Sequence, residues 1–159
     1  VGHIPCFYNH KPSAQGYYHK PGSYEQPGHD YVFDRPGALY PFGHGLSYTR
    51  FEYSNLTVEQ TGEMAFEASV TVKNVGNRPG EDAVLLFLSD LYCRVTPFVR
   101  QLRGIRRVSL KPGESARVHF PIGFDDLSFV NEAMKPEVEP GEFQAAVGEL
   151  RVRFELQPV

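Results

Sequence analysis

The sequence has little cysteine, no surplus of positive charge and no long apolar run, and each shortage excludes a class of protein. Its 159 residues include two cysteines, Cys6 and Cys93, which are too few and too far apart for a disulfide framework or a zinc site. We expect two free thiols. The formal net charge of -3 supplies no broad positive field for phosphate backbones, so no nucleic-acid partner is expected.

Apolar stretches are short, and the longest uninterrupted one runs from Ala83 to Leu88. A helix needs about 20 apolar residues to cross a bilayer, so the sequence predicts no transmembrane segment and no membrane partner. Nothing in the sequence assigns the protein to the cytoplasm or to a secretory route, and both remain open.

Residues 1–48 combine frequent prolines and glycines with many aromatic side chains. The prolines and glycines interrupt both helices and strand ladders, whereas disordered linkers are poor in aromatics. We therefore expect an extended, irregular arm that packs against another surface.

From Phe51 onward, apolar and polar residues alternate with the period of strands that have one face on a core. Three series show this pattern: Phe66, Ala68, Val70 and Val72; Ala116, Val118, Phe120 and Ile122; Leu150, Val152, Phe154 and Leu156. The segments 111–114 and 139–142 both read Pro-Gly at their centre, which favours type II turns. The alternation shifts phase near Gly104, which suggests a β-bulge.

These features predict an all-β fold, a fibronectin type III-like (immunoglobulin-like) β-sandwich of about seven strands with an irregular N-terminal arm. One segment, Asp82 to Asp90, is apolar on both faces. Its outer face either carries a few exposed apolar residues, as many surfaces do, or is covered by the arm or a partner domain.

Several segments resemble glycoside hydrolase family 3 enzymes in their C-terminal region. The junction that precedes the fibronectin type III-like domain of this family is matched by Ala38-Leu39-Tyr40-Pro41-Phe42-Gly43-His44-Gly45-Leu46-Ser47-Tyr48-Thr49. Later matches follow in order at 51–56, 70–76, 86–90, 110–115, 126–129 and 139–143, and residues 4–12 resemble the end of the preceding α/β-sandwich domain. Two positions depart from the usual family pattern: Ile105 stands where the family often has an aromatic residue, and Leu85 stands where a polar residue is common.

The resemblance implies two regions: residues 1–48, the end of the preceding domain plus the junction arm, and residues 49–159, the fibronectin type III-like domain. It also implies that the parent protein is a retaining exo-β-glycosidase, a β-glucosidase or β-xylosidase, with an aspartate nucleophile and a glutamate acid/base. Neither motif matches any position here, so no catalytic residue is assigned. The implied partners are the parent's catalytic domains and, through the parent, an oligosaccharide or glycoside substrate.

Candidate site residues form two groups. Tyr17, Tyr18, Tyr24 and Phe33 of the arm are candidates for stacking on sugar rings; the alternative is that they pack the arm onto the catalytic domains. Candidate interface residues are Tyr40, Phe42, His44, Leu85 and Phe87. An independent carbohydrate-binding module and a general interaction module remain alternative functions, since fold alone does not fix function.

Other chemistry is not expected. Asp125 and Asp126 are adjacent, but they would point to opposite faces of a strand or bond to the backbone in a turn. The arm histidines, among them His44, lack the short paired spacing of metal ligands. We therefore predict no catalytic dyad, no metal and no cofactor.

Overall fold

The computed structural model describes residue 40 and residues 42–158. The strands are β1 (Phe51–Gly62), β2 (Ala65–Asn74), β3 (Gly80–Asp90), β4 (Gln101–Leu110), β5 (Ser115–Ile122), β6 (Phe129–Val130), β7 (Pro136–Glu137), β8 (Gly141–Val147) and β9 (Leu150–Leu156). One short helix, α1, spans Phe124–Leu127. No helix in this described part is long and apolar enough to cross a membrane.

Seven of the strands form two antiparallel sheets. One sheet has three strands in the order β1-β2-β5, and the other has four in the order β4-β3-β8-β9. The remaining strands, β6 and β7, pair separately as a short ladder. The predicted sandwich of about seven strands is therefore confirmed.

The core lies between the two sheets and is made by the alternating series. In β2, Ala68, Val70 and Val72 have no exposed surface, and Phe120 and Ile122 of β5 are almost fully buried. The apolar residues of β9 pack against the same cluster. Because successive side chains of a strand point to opposite faces, the period of two places one half of each strand in this core, as the sequence predicted.

The two Pro-Gly segments differ in structure. Gly113 has a φ of 79°, and the backbone N–H of Glu114 donates to the carbonyl of Lys111 over 3.0 Å, so the type II turn predicted there is confirmed. The prediction for 139–142 is wrong, since Gly141 has no positive φ and instead opens β8 by pairing with Leu156. The long-range ladder, and not the local dipeptide, sets the backbone at that point.

The bulge predicted near Gly104 is present. Leu86 pairs with Gly104 but Phe87 pairs with Leu102, so Arg103 is an extra residue in β4. A Cβ at Gly104 would lie 2.5 Å from Cδ1 of Phe120. Glycine is therefore needed where β4 closes onto the core.

The sheets are also joined by a polar contact. The hydroxyl of Tyr53 on β1 donates to the carboxylate of Asp82 on β3 over 2.5 Å. Partial burial, followed by this hydrogen bond, raises the pKa of Tyr53 above its ordinary value. The contact links the first strand of one sheet to a central strand of the other.

Candidate interaction face

The outer face of β3 meets the junction segment that precedes the sandwich. The rings of Phe42 and Phe87 lie edge to face, with centroids 6.2 Å apart. The guanidinium of Arg100 lies 4.8 Å from the centroid of the Phe87 ring, and Gly43 approaches Leu85 so closely that a Cβ would lie 3.1 Å from its Cδ1. The junction therefore covers part of the second apolar face of β3, and Phe87 is only 7% exposed.

Apolar surface remains uncovered beside this contact. Ile105 pairs with Leu85 across the β3–β4 ladder, which places both on the outer face, and it is 55% exposed. In the junction, Leu46 and Tyr48 are 95% and 94% exposed. We name these three residues, together with Phe42, Leu85 and Phe87, the outer apolar face. Exposed apolar side chains grouped on one surface are typical of protein interaction sites.

The predicted interface residues make two sets of contacts. Phe42, Leu85 and Phe87 come together as described, whereas Tyr40 contacts His44, with ring centroids 5.0 Å apart. The four predicted sugar-stacking residues, Tyr17, Tyr18, Tyr24 and Phe33, lie outside the described residues. The interface role and the sugar-stacking role both stay predictions.

The junction is anchored to the sandwich by Asn74, whose side chain has no exposed surface. Its Nδ2 donates to the carbonyls of Arg78 at 2.8 Å and Leu110 at 2.9 Å. Its Oδ1 accepts from the Thr49 hydroxyl at 2.7 Å and from the Gly76 N–H at 3.0 Å. One amide thus satisfies all four of its hydrogen-bonding positions and joins the junction, the end of β2 and the β4–β5 turn.

Thr49 occupies a socket that two glycines leave open. A Cβ at Gly76 or at Gly80 would collide with the Thr49 side chain. The neighbouring backbone is bonded as well, because the N–H of Val75 donates to the carbonyl of Arg50 over 2.8 Å. The chain immediately before β1 is therefore held in a fixed position on the sandwich.

Thr49 and Asn74 were not among the candidate residues that the sequence suggested. The sequence did contain a signal for Asn74. It occupies the next position of the alternation that buries Val70 and Val72, so it is a polar residue at a core position. Buried polar groups are almost always hydrogen-bonded. Thr49 carries no such signal, since its partner is 25 residues away in the chain.

Asp125 and Asp126, the adjacent acidic residues, both lie in α1. The Asp126 carboxylate accepts from the Gly123 N–H over 3.0 Å at the start of the helix, as in a capping box. Asp125 is exposed. Among the described residues, no group of three or more His, Cys, Asp or Glu side chains could hold a metal ion.

Comparison with known proteins agrees with this architecture. A family model described as a fibronectin type III-like domain matches residues 82–150. A periplasmic β-glucosidase of Salmonella typhimurium is 38% identical over 93% of this chain, and a β-xylosidase of Formosa agariphila is 36% identical, also over 93%. The chain spans 20% of the length of each of these relatives.

Solved structures give the same result. A β-glucosidase of Erythrobacter marinus superposes with a TM-score of 0.81 at 33% identity, covering 96% of this chain and 20% of that one. A β-glucosidase of Listeria innocua gives a TM-score of 0.78 at 29% identity, covering 97% of this chain and 22% of that one. The chain is thus a homologue of the part of glycoside hydrolase family 3 β-glucosidases and β-xylosidases that carries a fibronectin type III-like domain.

Proposed function

We propose that this chain is the non-catalytic C-terminal part of a retaining exo-β-glycosidase, of β-glucosidase or β-xylosidase type, and that it braces the catalytic domains. The observation that carries the proposal is the outer apolar face, where the junction and β3 together present apolar surface. Residues 1–48 would be the end of the preceding domain and the junction arm, and residues 49–159 the bracing domain.

The catalytic carboxylates of the parent would lie outside this chain. Retaining hydrolysis requires two carboxyl groups about 5–5.5 Å apart across a sugar site. The one adjacent pair that the sequence suggested is divided between a capping role for Asp126 and an exposed position for Asp125. Homology to about a fifth of larger glycosidases supports placing the reaction in the other four fifths.

A brace has to resist movement, and the contacts of the junction support that role. Phe42 is held against Phe87 on the outer side of the sheet, while Thr49 is held by Asn74 at the opposite end of the segment. Residues between these two anchors, including Leu46 and Tyr48, expose apolar side chains. A neighbouring domain that covered them would therefore pack on a segment already fixed to the core.

A substitution at Ile105 tests the interface in two contexts. We expect Ile105→Asp to leave the melting temperature of the 159-residue chain nearly unchanged, because the side chain is 55% exposed, and to lower that of the whole enzyme by several degrees. Met64→Asp, at the β1–β2 turn and 39% exposed, is the matched control and should affect neither protein. Equal effects of Ile105→Asp in the two contexts would contradict the interface.

The division of labour has its own test. The purified chain should not cleave aryl β-glucosides or β-xylosides, whereas the enzyme encoded with its upstream sequence should. Turnover by the purified chain that disappears in Asp125→Asn or Asp126→Asn would overturn the proposal.

A further inference from the structure

A cavity of about 410 Å³ opens at one end of the sandwich. Its walls are the β3–β4 loop, the segment from α1 to β6, and the ends of β3, β4 and β8. The volume lies within the range of about 300–1,000 Å³ that is typical of small-molecule sites. Arg94 forms ion pairs with Glu137 and Glu139 and so ties the loop to the segment before β8.

Arg103 lines this cavity because of the bulge in β4. Since Leu86 pairs with Gly104 and Phe87 with Leu102, Arg103 has no partner residue in the ladder. Bulges commonly redirect a side chain in this way. The Nε of Arg103 is buried and bonds to no group of the described structure, although a buried donor without a partner costs about 1–3 kcal/mol. Because the Nε is enclosed by protein atoms, a ligand in the cavity cannot reach it; the two terminal nitrogens of the guanidinium are not enclosed in this way, and they are the donors that a ligand atom could bind.

The other polar groups around the cavity restrict the chemistry of that ligand. Asp90, Asp125 and Asp126 contribute three carboxyl groups against the single guanidinium of Arg103, so an anion would be repelled. The ligand must accept from Arg103 and donate to carboxylates while remaining uncharged. Hydroxyl groups do both.

The remaining lining residues fit the same chemistry. Phe98 and Phe129 bring aromatic rings to the cavity, and Gln101 and Ser128 bring further donors and acceptors. Aromatic faces pack against apolar C–H surface, while the amide and hydroxyl groups fix orientation. A compound with a ring of C–H groups edged by hydroxyls matches both kinds of wall.

We infer that this cavity is a binding site for a neutral polyhydroxylated ligand of mono- or disaccharide size, with Arg103 as its principal donor. None of the residues that line the site belongs to the outer apolar face. Sugar binding at this site and the proposed bracing role are independent, so either could hold without the other.

The test is titration of the 159-residue chain with glucose, xylose, cellobiose and xylobiose, each up to tens of millimolar, monitored by ¹H–¹⁵N NMR. We expect saturable binding with a millimolar Kd and shifts concentrated at residues 101–103 and 125–129. Arg103→Met keeps the aliphatic stem and should weaken binding about tenfold or more, since hydrogen bonds from charged groups contribute that much. Arg153→Met is the matched control; this arginine lies on β9 beside Glu142, and its loss should leave Kd unchanged.

Three results would overturn the inference. The first is the absence of saturable shifts with all four sugars in the unmodified chain, a result that does not depend on how the variants fold. The second is sugar binding whose shifts fall outside the cavity or whose Kd is the same in Arg103→Met. The third is tighter binding of acetate or glutamate than of any sugar, which would assign the cavity to a carboxylate-bearing partner.

Discussion

Asn74 gives the sharpest test of how the junction is held. Asn74→Ala removes four hydrogen bonds at once, to Thr49, Gly76, Arg78 and Leu110. It also leaves the Leu110 carbonyl in a buried position without this partner. The amide lies where β2 ends, so the change affects the junction and the β4–β5 turn together.

The magnitude follows from the number of bonds and from their burial. Each hydrogen bond contributes about 0.5–1.5 kcal/mol net, so four contribute about 2–6 kcal/mol. Three of the four are only partly buried, and water can replace the lost partner there. We therefore expect Asn74→Ala to lower the free energy of unfolding by about 3 kcal/mol, a large part of the 5–15 kcal/mol typical of a domain.

Urea denaturation of the 159-residue chain, followed by far-ultraviolet circular dichroism, measures this loss as a lower midpoint at constant slope. Thr49→Val keeps the side-chain shape and removes one of the four bonds, so it should cost about 1 kcal/mol. In an Asn74→Ala background the same change should cost close to nothing, because its partner is gone. A loss below about 1 kcal/mol for Asn74→Ala, or equal costs of Thr49→Val in both backgrounds, would refute the role of Asn74 in holding the junction.

Three further substitutions test other parts of the fold. Gly104→Ala should cost about 1–3 kcal/mol in thermal unfolding, because its Cβ would overlap Phe120 and overpacked cores lose that much. Tyr53→Phe should cost about 1–2 kcal/mol at neutral pH. Because the pKa of Tyr53 is raised in the folded chain, the contribution of its hydroxyl to folding stability is present below about pH 10 and is lost as the pH rises further. Tyr53→Phe should therefore reduce the fall in stability on alkaline titration. Asp126→Ala should cost about 1 kcal/mol through loss of its capping bond.

Each of these has a contradicting result. A stable Gly104→Ala variant with an unchanged melting temperature would show that the bulge does not require glycine. An alkaline titration that is identical with and without the Tyr53 hydroxyl would remove this group as the cause. Asp126→Asn, which retains an acceptor oxygen, should keep most of the capping energy; a cost equal to that of the alanine variant would contradict capping.

Local periodicity predicted the sandwich because each strand meets water on one side and the core on the other. Val70 and Val72 could be placed in the core without knowledge of their partners, since a register shift of one residue would expose them. The turn at Gly113 was predictable for a similar reason, because proline and glycine fix the dihedral angles locally. The same dipeptide failed at Gly141, where pairing with Leu156 decides the backbone.

The candidate sites were harder to predict because they are made by distant segments. The sequence indicated a bulge at Gly104, but the cavity that Arg103 lines also needs the loop before β4 and the segment around α1. Likewise, the hydroxyl of Thr49 acquires its role only when the end of β2 folds next to it. The alternation of apolar and polar residues carries no information about such contacts between segments that are distant in sequence.

The two anchors of the junction explain why an accessory domain of this size could act as a brace. Had Phe42 alone been fixed, force on the segment would be taken up by rotation of the backbone between Gly43 and Thr49. With Thr49 also bound to Asn74, whose amide reaches the carbonyls of Arg78 and Leu110, displacement of the junction must distort the end of β2 and the turn after β4. In the proposed bracing role, resistance to displacement would therefore draw on the stability of the sandwich, and weakening Asn74 should loosen a docked domain without altering a residue of the outer apolar face.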